Sequence, residues 1–167
     1  MQSFTVNVID EQNLLCLFSK NAKHKQKITI TLKTICHQIL DDANISCGHL
    51  NIAIVNGETM LKYNAKFLGH DYVTDVISFQ VDYKETNKNG NVQKYLEGDI
   101  IVCADTAIER ANEFNWSPLE EFFLYAIHGS LHLVGYDDKK TNSKKTMRKK
   151  ESEYIKIVTN TFKLFTF

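Results

Sequence analysis

The stretch His128-Gly129-Ser130-Leu131-His132-Leu133-Val134-Gly135-Tyr136-Asp137-Asp138 holds the residue types best suited to chemistry. His128 and His132 stand four residues apart. On a helix of about 3.6 residues per turn both imidazoles leave one face, and they can grip one ion at nitrogen–metal distances of about 2.0–2.1 Å. Gly135 ends such a helix and lets the chain reverse, so a carboxylate can return to the ion. Asp138 is the candidate third ligand. Asp137 is the alternative, or else the acceptor for the second N–H of a ligand histidine. Two imidazoles and one carboxylate suit a single zinc ion and leave a fourth position open to water, which is the arrangement of a catalytic site.

The spacing H-x-x-x-H-x-x-G-x-x-H/D is shared with the metzincin zinc peptidases, and so is the expected metal helix. Those enzymes place a glutamate immediately after the first histidine as general base. Here that position is Gly129, which cannot move a proton. A peptidase or amidase mechanism therefore lacks its base. A Lewis-acid role is untouched by the change, and a phosphodiester oxygen is a suitable target for it.

The elements that must position these residues can be read from periodicity. Residues 3–9 alternate as a strand, 29–43 carry an apolar helical face (Leu32, Ile35, Cys36, Ile39, Leu40), and 49–55 alternate again. A short helix is predicted over 58–68 and a strand over 75–81. The polar stretch 82–97 holds the hairpin signal Asn89-Gly90, and 98–103 is the returning strand. A helix over 104–114 precedes Ser117-Pro118-Leu119-Glu120, a helix start with Ser at the N-cap, Pro at the first position and Glu at the third, the pattern of a capping box. That helix should reach about Val134, and a last lysine-rich helix should cover 143–160. The order predicts an α+β fold in one domain, 1–167, with a mixed sheet of about four strands packed with helices. Thr74, Val76 and Ser78, spaced by two, would share a strand face and are candidates to line a substrate groove.

The composition is that of a globular chain: 167 residues, 43% hydrophobic, net charge zero. Cys16, Cys36, Cys47 and Cys103 form no CxxC pair and read as reduced thiols. The N-terminus does not read as a signal peptide, and no apolar run is long enough for a membrane span, so a cytoplasmic location is expected. The charge is uneven. Lys139, Lys140, Lys144, Lys145, Arg148, Lys149 and Lys150 follow the metal loop with no acid among them, a pattern suited to an anionic partner.

The segment from His128 to Asp137 resembles the signature H-G-x-L-H-L-x-G-Y-D-H of the YbeY family of metal-dependent, single-strand-specific endoribonucleases, with Asp138 in place of the last histidine. Thr74-Asp75-Val76-Ile77-Ser78-Phe79 and Gly98-Asp99-Ile100-Ile101 resemble two further blocks of that family, and Asn64, Met147 and Glu151 fall at its offsets. The resemblance implies one zinc ion on His128, His132 and Asp138. It implies action on ribosomal RNA of the small subunit, in late maturation of the 16S 3′ end and in ribosome quality control. The family's usual arginine ahead of the Thr-Asp-Val block is Leu68 here, and its usual proline is Val73. His70 and Lys66 are the nearest residues able to stand in for that arginine as substrate contacts. Another class of zinc hydrolase, or a ribosome-assembly binding protein with a structural metal, are the alternative functions.

Overall fold

The computed structural model describes residues 4–88, 90–114 and 116–163. Strand β1 (Phe4–Ile9) runs parallel to β2 (Ile45–Val55), and β2 runs parallel to β4 (Asn91–Cys103). Strand β3 (Val76–Lys88) is the antiparallel partner of β4, which completes a four-stranded mixed sheet in the order β1-β2-β4-β3. The helices are α1 (Ala22–Asp42), α2 (Gly57–Leu68), α3 (Ala104–Phe114), α4 (Pro118–Leu133) and α5 (Thr141–Lys163), with a 3-10 turn at Leu14–Leu17. The α+β fold with four mixed strands is the one expected.

Alternation along β4 shows how the layers form. Leu96, Ile100 and Val102 enter the main core with α1, α4 and α5. Ile101 and Cys103 point the other way, into a smaller cluster closed by Met60 of α2. Helix α4 occupies the centre, touching α1, α3, α5, β3 and β4. Its Phe122, Phe123, Ala126, Ile127 and Leu131 are fully buried. Burial of each large side chain among them contributes on the order of 1.5–3 kcal/mol. The histidine-bearing helix is thus also the core helix.

Several boundaries differ from the periodic reading. Helix α1 starts at Ala22 rather than at 29, because its first turns carry lysines instead of an apolar face. Asn21 caps it, its side chain accepting from the His24 N–H at 3.1 Å. Strands β3 and β4 continue through the polar stretch 82–97, held by cross-strand pairing from Val76↔Val102 to Lys88↔Asn91. Most side chains of β3 beyond Gln80 are exposed, so no alternation marks that part in the sequence. Gly90 has the positive φ (82°) that a tight hairpin requires. Ser3 of the first expected strand and Asn89 of the hairpin signal lie outside the described residues. Ser117 occupies the N-cap of α4, but its side chain makes no capping hydrogen bond. Glu120 accepts instead from Thr159 Oγ1 of α5 at 2.8 Å, so the expected capping box gives way to a contact between helices.

All four cysteines are free, and burial pushes the Cys36 thiol up to about 12. Among the described residues no helix is long and apolar enough to cross a membrane.

Candidate metal centre

The geometry begins with the end of α4. Gly135 has φ 97°, a left-handed conformation that glycine adopts without penalty. Its N–H donates to His132 O at 3.0 Å, and the Tyr136 N–H donates to Leu131 O at 3.0 Å. Together these form a Schellman motif, which turns the chain sharply back. The turn places the Tyr136 carbonyl 3.0 Å from His132 Nδ1 and brings Asp138 beside the histidines.

The two imidazoles face one another with Nε2 atoms 3.0 Å apart. On the far side of His128, Nδ1 lies 2.7 Å from Glu151 Oε1 of α5. A carboxylate and a carbonyl only accept hydrogen bonds, so each Nδ1 carries the proton and each Nε2 lone pair is left for the space between the rings. Two nitrogens at that separation are satisfied either by a proton shared between them or by a cation that both ligate. Tetrahedral zinc would hold two ligand nitrogens roughly 3.3 Å apart, close to what is seen. Asp138 Oδ1 lies 3.9 Å from His132 Nε2, and the ligand atoms of His128, His132 and Asp138 all fall within 4.8 Å of one another. The donor set fits a divalent ion. Asp137 stands outside this group, its Oδ1 accepting from the Lys139 N–H at 3.3 Å. The carboxylate that meets a histidine of this group on its outer nitrogen is Glu151, not Asp137.

Burial opposes a charged His128, but the hydrogen bond and charge of Glu151, with Asp75 and Asp138 adding, outweigh it. The imidazolium is held above the ordinary histidine range.

His128 and Asp138 open onto a cavity of about 440 Å³. Asp75, Arg110, Glu121 and Tyr125 also line it, as do Lys144 and Arg148 of α5. A signal for two of these was present in the sequence. Glu121, Tyr125, His128 and His132 are spaced 4, 3 and 4, which is one helical stripe. Asp75 was marked only as part of the Thr-Asp-Val block, and nothing local marked Arg110.

Position 129 has no room for a side chain. A Cβ there would stand 2.7 Å from Ser78 Oγ, 3.0 Å from Ile100 Cγ2 and 3.1 Å from Val76 Cγ2. The missing glutamate is therefore a packing requirement: α4 lies directly on the sheet where a peptidase base would project. Val76 and Ser78 do share a face, but that face meets α4, and Thr74 precedes the strand. The Thr74 hydroxyl donates to Asp75 Oδ1 at 3.0 Å. His70 is exposed and stacked on Tyr72, with ring centroids 5.1 Å apart, and Lys66 is exposed on α2 over the Phe67 ring. Thr74, Ser78, His70 and Lys66 are not among the residues lining the cavity, nor is Leu68, which is 48% exposed. Asn64 is buried, and its Nδ2 donates to the Tyr72 carbonyl at 2.8 Å, which anchors the loop between α2 and β3.

Comparison with known proteins gives a consistent picture. A family model described as endoribonuclease YbeY matches residues 18–159. An endoribonuclease YbeY of Salinibacter ruber is 37% identical over 128 residues, covering 77% of this chain and 82% of its own. Another, of Protochlamydia amoebophila, is 32% identical over 143 residues, covering 85% of this chain and 92% of its own. The solution structure of TM1509 from Thermotoga maritima superposes with a TM-score of 0.61 at 25% identity, covering 96% of this chain and 93% of that one.

Proposed function

The chain belongs to the endoribonuclease YbeY family, and from that premise we propose that it is a zinc-dependent hydrolase that cuts single-stranded RNA in the cavity beside His128. Its substrate is ribosomal RNA of the small subunit, in late maturation of the 16S 3′ end and in quality control of the ribosome, and it works in the cytoplasm. The observation that carries this reading is the convergence of His128, His132 and Asp138 within 4.8 Å at the edge of an open polar cavity.

Those three residues would hold the ion, which supplies Lewis-acid polarisation of a phosphodiester oxygen and acidification of a water. The chain contributes the rest by position. Glu151 and the Tyr136 carbonyl fix the tautomers and ring planes of the two histidines. Gly129 lets α4 seat against β3, which sets where the imidazoles emerge. The same residue argues against a peptidase, because no base can occupy its position.

The test is elemental analysis of protein purified without a histidine tag, followed by cleavage of a single-stranded RNA with and without chelator. Stoichiometric zinc and chelator-sensitive cleavage are expected, with both lost in His128→Ala. A His128→Ala protein free of metal that cuts as fast as the parent would overturn the proposal.

A further inference from the structure

The chain has twenty lysines and arginines, of which only Arg110 and Arg148 are arginines. Both line the cavity that His128 and Asp138 share, one from α3 and one from α5. They are 38 positions apart, so packing and not sequence brings them to one cavity. Both are exposed, and neither guanidinium makes a hydrogen bond or ion pair to a described residue. That is unusual in a cavity also lined by the carboxylates of Asp75, Glu121, Asp138 and Glu151.

Three of those four carboxylates have other partners. Glu151 takes His128 Nδ1, and Asp138 sits with the two histidines. Asp75 accepts from the Val76 N–H at 2.9 Å and the Thr74 hydroxyl at 3.0 Å. Lys144, one turn before Arg148, adds a third cation to the lining. With a divalent ion bound, the positive charges of the cavity exceed its four carboxylates.

A second observation points the same way. Tyr125 is 4% exposed and lines the cavity, and its buried hydroxyl lies beside the Glu121 carboxylate without a hydrogen bond of good geometry. Burial, with the charge of Glu121 and its contact to the hydroxyl and the charge of Asp75 adding, pushes the phenol far above the ordinary value, so it remains an O–H donor. A buried donor poorly aligned with its acceptor forfeits part of a hydrogen bond's stabilisation, and a ligand oxygen in the cavity would recover it.

We infer that Arg110, Arg148 and the Tyr125 hydroxyl form a phosphate-binding subsite beside the metal centre, which holds a phosphate of the RNA other than the one being cut. Planar guanidinium groups match phosphate oxygens through paired N–H donors, which a lysine surface cannot do. The identity of the ligand rests on the RNA-cleaving reading above.

The experiment measures binding of a fluorescein-labelled 12-nucleotide oligouridine to zinc-loaded protein by anisotropy over a range of KCl concentrations, alongside cleavage kinetics. Arg110→Gln and Arg148→Gln are each expected to weaken binding about tenfold at low salt. Each should also flatten the log Kd–log salt slope by about 0.7 for the lost phosphate contact. KM should rise with kcat retained, and Tyr125→Phe should weaken binding a few-fold. Lys33→Gln on α1 is the control for a general loss of positive charge.

Oligonucleotides with hydroxyl ends are compared with 5′- and 3′-phosphorylated ones. Arginine dependence confined to phosphorylated ends assigns the subsite to a terminal phosphate, and equal dependence assigns it to the backbone. Both results support phosphate recognition. If the parent binds and cuts RNA while the arginine variants match Lys33→Gln, the subsite is overturned and the endoribonuclease reading stands. If the parent binds without cutting and the arginine variants lose binding, the subsite stands and the catalytic reading fails.

Discussion

At His128 a proton and the proposed metal ion would compete for the same nitrogen. Glu151 would strengthen the imidazole as a ligand, and by the same contact it holds the pKa above the ordinary value. In metal-free protein a raised pKa stabilises the fold below the unfolded-state value, and that contribution is lost as pH rises through the folded value. Zinc needs the neutral imidazole, so its affinity has the opposite dependence. Affinity for zinc should weaken as pH falls from 8 to 6, by about tenfold per pH unit for each proton that must leave, and the loss should begin at a higher pH than for an ordinary histidine. Glu151→Gln should bind zinc about 10–100-fold more weakly at pH 8, with its remaining loss displaced to lower pH. Competition titration with a zinc-binding dye measures both. Equal affinities for parent and variant would remove Glu151 from the site.

Helix α4 shows how packing and local propensity can demand opposite things of one residue. In an exposed helix interior, alanine is better than glycine by roughly 0.5–1 kcal/mol. At position 129 the added Cβ would meet Ile100 Cγ2 at 3.0 Å and Val76 Cγ2 at 3.1 Å, and Ser78 Oγ, which can rotate, at 2.7 Å. Overpacking of this kind costs about 1–3 kcal/mol, so it should win. Gly129→Ala should therefore lower stability in urea unfolding while helix content is retained, and a stabilised variant would mean that α4 is not seated as described. The same helix shows what was legible at this scale. Its Schellman end at Gly135 follows from one residue and was readable. Its expected capping box was not formed, because Glu120 is taken by Thr159 of α5, a partner 39 positions away.

Taken whole, the molecule draws its candidate metal residues from three segments. The group joins α4 to the loop at Asp138 and, through Glu151, to α5. A ligand bound only by the folded state stabilises it by about 2.7 kcal/mol at a hundredfold excess over Kd. Zinc at that excess should raise Tm by roughly 5–10 °C for a domain of this size. His132→Ala should abolish the shift, and scanning calorimetry decides the matter; an undiminished shift in that variant would place zinc elsewhere. The sequence by itself determined the spacing of the two histidines, the turn at Gly135, the candidate carboxylate, the family motifs and the α+β order. The motifs came from resemblance, whereas the spacing, the turn and the element order are set by periodicity or turn chemistry within a few residues. Tertiary structure alone decided the cavity. Asp75 ahead of β3, Arg110 on α3, Tyr125 on α4 and Arg148 on α5 meet only because four elements pack in one register. It also decided why position 129 must be glycine and why Thr74, Ser78, His70 and Lys66 are not among the residues lining that space. Local spacing constrains a single element, whereas a cavity depends on contacts between elements that no sequence interval records.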